Sequence, residues 1–126
     1  MIIQFSADIT PISQARPRVV NRHAFEPKRV AEYKKAVHLI GRSAMVGRLP
    51  FNQPVRISLS FRRNRPSTSR TFGDIDNLIK AVLDALNGVC YSDDALVVEI
   101  HAFKMQSDRE GVDVTVQNIS SEECST

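Results

Sequence analysis

The run Gly73-Asp74-Ile75-Asp76-Asn77-Leu78-Ile79-Lys80, followed one helix later by Ser92-Asp93-Asp94, places several carboxylates and a lysine where a single divalent metal could collect them. All-oxygen ligands of this kind suit Mg²⁺ or Mn²⁺. A metal held by carboxylates beside a lysine is equipped for chemistry at a phosphate. The same residues admit a plainer reading. Asp74 would then be a helix N-cap, Asp76 a charge favoured by the positive end of the helix dipole, and Lys80 the partner of Asp76 and Asp84 one turn to either side, together stabilising a helix by about 1 to 2 kcal/mol.

Strand parity separates the two readings. If a strand follows Asp93, then Asp94 shares a face with Leu96, Val98, Ile100 and Ala102, an apolar face that helices must cover, while Asp93 shares the mixed face of Glu99 and His101. Asp94 is therefore expected to point toward the helix layer, Asp74 and Asp76, where carboxylate repulsion demands a cation or a proton. Asp93 is expected to be a turn residue or an outer partner.

Charge is divided along the chain. Residues 1–70 hold 14 Lys and Arg against 3 Asp and Glu, whereas residues 71–126 hold 3 against 11. A basic half joined to a carboxylate-rich half fits a polyanion held by arginines next to a metal held by carboxylates. Arg16 and Arg18 early in the chain, and Arg62, Arg63, Arg65 and Arg70 just before the carboxylates, are candidates for contacts to the phosphates of such a polyanion, with solubilising surface charge as the alternative.

The elements that must position these residues are legible from periodicity. Ile3, Phe5, Ala7 and Ile9 alternate with polar residues, which predicts a strand near 2–9. Pro11 to Arg18 is punctuated by prolines and reads as a basic loop. Pro27 followed by Val30, Tyr33, Val37, Ile40 and Ala44 predicts an amphipathic helix that Gly47 closes. Val55, Ile57, Leu59 and Phe61 alternate with Arg56, Ser58, Ser60 and Arg62 and predict a second strand with a solvated polar face. Residues 62–72 lack an apolar period and read as a mobile loop. Ile75, Leu78, Ile79, Val82, Leu83 and Leu86 predict a helix between Asp74 and Gly88. Two strands, 96–103 and 112–117, complete the ordered part, and residues 120–126 read as a frayed tail.

Strands with one polar face and helices with one apolar stripe bury their apolar surface by stacking the helices on one side of an open sheet. The expected fold is a two-layer α/β (α+β) sandwich, a mixed sheet of about four strands in one domain spanning 1–126. A chain of 126 residues with 42% hydrophobic residues has room for one core and one active site. No apolar stretch reaches the ~18 residues of a membrane span, and Met1-Ile2-Ile3-Gln4 lacks a basic secretory n-region, so a soluble intracellular protein is expected. Cys90 and Cys124 lack metal or disulfide spacing and are expected to be reduced. His23, His38 and His101 read as surface or sheet-face residues. Phe61, Phe72, Tyr91 and Phe103 read as core, with Phe72 also placed to wedge into opened bases beside the site.

The pattern D-x-D-N-x-x-K, followed by an aspartate pair before a valine-rich strand, resembles the RusA family of Holliday junction resolvases. The likeness is specific over residues 73–104, including Ala81-Val82-Leu83-Asp84-Ala85-Leu86-Asn87, and is thin between residues 20 and 55. Pro11-Ile12-Ser13 and Arg16-Pro17-Arg18 resemble the N-terminal loop of the family's phage-type members. Gly73 precedes the first aspartate where some relatives carry arginine, the nearest arginine here being Arg70.

The resemblance implies a RusA-like, homodimeric, Mg²⁺-dependent endonuclease, with Mn²⁺ able to substitute. It would bind four-way or branched DNA and resolve Holliday junctions by paired symmetric nicks in DNA recombination and repair, in the cytoplasm of a bacterium or phage-infected cell, with no membrane partner. Asp74, Asp76, Lys80 and Asp94 fall on catalytic positions, with Asp74, Asp76 and Asp94 as metal ligands. Two other readings stay open: a branched-DNA-binding module without catalysis, and a Mg²⁺-dependent nuclease acting on other DNA structures.

Overall fold

The computed structural model describes residues 1–14, 18–20 and 23–119, the side chains of 18–20 and 23–25 excepted. The elements in chain order are β1 (Ile2–Ala7), β2 (Arg18–Val20), β3 (His23–Phe25), α1 (Lys28–Ala44), β4 (Val55–Arg63), α2 (Ile75–Leu86), a 3-10 turn (Asp94–Leu96), β5 (Val97–Gln106) and β6 (Gly111–Asn118). Four strands form one sheet in the order β1-β6-β4-β5, and β2 with β3 forms a separate two-stranded ribbon.

Register explains why one face of the sheet is dry. Ile57, Leu59 and Phe61 of β4 lie opposite Val116, Val114 and Val112 of β6, which lie opposite Ile3, Phe5 and Ala7 of β1. Nearly all of these are buried, and α1 and α2 cover them. Arg56, Ser58, Ser60 and Arg62 alternate onto the other face, which no helix among the described residues covers, so the two-layer architecture predicted above is the one observed. The helices meet closely at Gly41, where an added Cβ would lie 2.6 Å from Cδ2 of Leu86.

β4, α2 and β5 form a β-α-β unit, with β4 and β5 parallel and adjacent. Its orientation fixes where the site lies. Lys104, late in β5, donates from Nζ to the carbonyl of Gly73 at 2.9 Å, so α2 begins at the C-terminal ends of the two strands. The Tyr91 hydroxyl donates to the carbonyl of Leu83 at 2.8 Å, so α2 ends at the N-terminal end of β5.

Some elements depart from the expected boundaries. Arg62 and Arg63 extend β4 rather than opening a loop. β5 starts at Val97, one residue later than read, and carries a bulge: Val55 pairs with Val97 but Arg56 with Glu99. The β2–β3 ribbon carries no periodic signal in its two three-residue strands. Phe103, expected in the core, is 56% exposed on the uncovered face, whereas Phe61, Phe72 and Tyr91 are fully buried. Full burial of Phe72 removes it as a base wedge; its ring sits 5.2 Å from the Lys104 ammonium. Cys90 is a free, buried thiol whose pKa burial raises to about 12. Cys124 and the tail lie outside the described residues.

The uncovered face is tied by charge. Arg62 donates to Asp113 at 3.1 Å and 3.2 Å, and Ser6 Oγ donates to the same carboxylate at 2.7 Å. Burial alone would push the Asp113 carboxyl up, but these hydrogen bonds and the Arg62 charge hold it below the usual range. A carboxyl depressed in the folded state contributes stability above its unfolded pKa and loses it as pH falls through the folded one. Asp113→Asn is therefore expected to narrow the gap between urea midpoints measured at neutral and acidic pH; an unchanged gap would remove this cluster from acid unfolding.

Candidate active site at the start of helix α2

The first turn of α2 presents Asp74 and Asp76 to solvent. Asp74 is the N-cap residue, yet its side chain accepts no capping hydrogen bond. Its carboxylate is therefore not occupied as a cap, which removes part of the plainer reading, although the helix dipole still favours both charges there. Leu78, Ala81, Val82, Ala85 and Leu86 bury the opposite stripe of the helix and fix which face carries Asp76 and Lys80.

Lys80 is exposed. Asp84, one turn further, is bonded to other partners: Gln14 Nε2 at 3.0 Å and Lys34 Nζ at 3.6 Å. The backbone N–H of Gln14 also donates to the carbonyl of Asn77 at 3.0 Å. Gln14, 8% exposed, thus docks the first half of the proline-punctuated segment along α2. Gln14 and Asp84 were not among the expected site residues, and no sequence spacing links them.

Gly73 adopts a φ of +105°, and a Cβ added there would lie 3.1 Å from Cβ of Ser13. An L-residue with a side chain is strained in that conformation. Glycine meets that requirement, and Arg70 is the nearest guanidinium in sequence.

Asp94 does not join Asp74 and Asp76 within one chain. It lies in the 3-10 turn rather than in a strand, so the parity argument does not reach it. The hydrogen bond with Asp93, ahead of desolvation and the charges of Asp93 and Asp84, raises its pKa. Asp93 accepts from the N–H of Ala95 at 3.2 Å and is the turn residue expected of it. With strands rising about 3.3 Å per residue, roughly 23 Å of β5 separate Val97, near Asp94, from Lys104, which holds Gly73. Among the described residues no three His, Cys, Asp or Glu side chains come together as a metal cluster. A single protomer therefore does not supply the expected three-carboxylate set.

The arginines divide into groups. Arg62 faces Asp113 and Asp8 on the uncovered sheet face. Arg63, Arg65 and Arg70 line a recess immediately before Asp74. Arg16 lies outside the described residues, as does the side chain of Arg18, whose backbone lies in β2. His38 shares a hydrogen bond with the carbonyl of Ala85 at 3.0 Å and His101 one with Glu99 at 2.6 Å, while the His23 side chain is not described.

No helix among the described residues is long and apolar enough to cross a membrane. One similar protein is the uncharacterized protein YqaN of Bacillus subtilis (strain 168), 28% identical over 141 aligned positions that cover 94% of this chain and 97% of the relative. The family profile described as endodeoxyribonuclease RusA matches residues 8–117, a span containing the loop docked by Gln14, the whole β-α-β unit and every carboxylate discussed above. With aspartates at the mouth of α2, guanidiniums beside them and this match across most of its length, the chain belongs to the RusA endodeoxyribonuclease family.

Proposed function

We propose that the protein is a Mg²⁺-dependent, structure-selective endonuclease that resolves four-way DNA junctions by paired symmetric nicks, working as a homodimer in DNA recombination and repair. The observation that carries this reading is the exposed Asp74 and Asp76 pair at the start of α2, uncommitted to capping and adjacent to an arginine-lined recess. A bound metal would polarise the scissile phosphate and lower the pKa of an attacking water. The residues of this chain do the rest. Asp74 and Asp76 hold negative charge fixed on a rigid helix, Lys80 stands one turn away to meet charge developing on the phosphate, and the arginines position the backbone.

The distance between Asp94 and Gly73 gives the dimer a chemical role. β5 is an edge strand with Val98, Ile100, Phe103 and Met105 exposed. Two copies pairing antiparallel through β5 would bring the partner's Asp94 to the Lys104 end of the strand, beside Gly73 and Asp74. Two such sites follow from the two-fold axis, one for each strand to be cut.

Nicking of a labelled four-way junction against a matched linear duplex, with Mg²⁺ and with chelator, tests the activity. Paired cuts on the junction alone, lost with chelator, are expected; metal-independent binding without cutting would favour the non-catalytic module, and equal cutting of linear duplex a less selective nuclease. Mixing inactive Asp76→Asn and Asp94→Asn proteins tests the shared site. A mixed dimer would hold one intact site and recover single-strand nicking, whereas no recovery after subunit exchange would place Asp94 outside the partner's site.

A further inference from the structure

The recess before Asp74 encloses about 370 Å³ and is lined by four guanidiniums, Arg29, Arg63, Arg65 and Arg70, together with Ser13 and Gly73. Arg29 comes from the first turn of α1, which the chain separates widely from the others. The side chain of Arg63 is only 11% exposed; its Nη1 donates to the carbonyl of Thr71 at 2.5 Å, while its Nε is buried without a hydrogen-bond partner, the Glu110 carboxylate lying 3.8 Å away. Burial and the charges of Arg65 and Arg29 all disfavour the charged form of Arg63, which only Glu110 opposes. One buried donor left without a partner and like charges held together cost free energy that an anion would recover.

We propose that this recess is a binding site for one phosphate group of the DNA backbone, with Arg29 of α1 as a member. Tetrahedral phosphate matches several guanidinium forks at once, and the Arg63 Nε supplies a donor already desolvated. Asp74, Asp76 and Lys80 do not line the recess, so the phosphate it holds is a neighbour of the one presented to the carboxylates. The assignment to DNA rests on the nuclease reading; the assignment to phosphate does not. Arg29 is thereby a DNA-positioning residue that no motif in the chain marks.

Two measurements separate these. In the first, the Arg63 Nε–H resonance is followed by NMR while inorganic phosphate is added at ionic strength matched with chloride. Saturable shifts are expected, weakened about tenfold or more in Arg29→Gln and in Arg65→Gln, as for loss of one charge-assisted contact, and unchanged in Arg48→Gln. Absence of a saturable shift, or the same affinity in all four proteins, overturns the site. In the second, phosphates flanking the nick in the junction are replaced one at a time by neutral methylphosphonate. One position is expected to weaken binding by wild type but not further by Arg29→Gln, because both changes delete the same contact. Additive losses at every position, alongside a positive phosphate titration, would assign the recess to a free phosphate-bearing small molecule and overturn the DNA assignment. Failure of both junction nicking and junction binding with a positive titration would overturn the nuclease reading and the DNA assignment while leaving the phosphate site standing.

Discussion

Asp76→Asn is expected to lower single-turnover nicking of a four-way junction by about 10²- to 10⁴-fold, the equivalent of several kcal/mol of charge stabilisation at the phosphate. Asparagine keeps the shape of the side chain and removes the charge. Because Asp76 is exposed and makes no packing contribution, the fold should survive, with only the dipole interaction lost, about 0.3–1 kcal/mol. Junction affinity should also persist, since the arginines remain. Kinetics and a thermal melt on the same preparation check both halves. Full activity in Asp76→Asn would remove the residue from metal binding, and a collapsed melt would make it structural instead.

Leu78→Ala, two residues along the same helix, is expected to do the reverse. Leu78 is fully buried in the core, and a Leu to Ala change at such a site costs about 2–5 kcal/mol in transfer and cavity terms. For a chain of this size that lowers the melting temperature by on the order of 10 °C. Urea unfolding measures it directly, and nicking well below the melt should fall only with the folded fraction. A loss below about 1 kcal/mol would mean that the neighbourhood closes over the cavity and that α2 is anchored elsewhere. The contrast between the two variants separates the face of α2 that works from the face that holds it.

What was legible in the sequence was whatever repeats over many residues. α2 and β4 each carry enough periodic apolar positions to fix their existence and buried side, and with them the placement of Asp76 and Lys80. What was not legible depends on single residues or on distant partners. The parity argument for Asp94 failed because a 3-10 turn and a bulge intervene before regular pairing begins, and one extra residue is enough to change which face a side chain takes. Gln14 and Arg29 were invisible as site residues because their partners, Asp84 in one case and the other three arginines in the other, are brought to them by tertiary packing. Arg62 and Arg63 are neighbours in sequence and opposites in environment, since alternation along β4 sends one to the open face and the other to the recess.

The strand order carries a consequence for how the chain is made. β1 pairs with β6, joining Ile2 to Gln117, while β4, α2 and β5 close within a short contiguous stretch. At ribosomal speeds of about 5–20 residues per second, β1 waits several seconds for its sheet partner β6, whereas the β-α-β unit can assemble as soon as it emerges. The nascent chain therefore has its helix α2 and its arginine-bearing strand end in place while the apolar residues of β1 still lack cover. Contacts of such long sequence separation form late and slowly. The final folding event is thus a closure of the sheet's far edge, and slow synthesis or truncation before Gly111 would release a species with α2 assembled and an open, aggregation-prone strand.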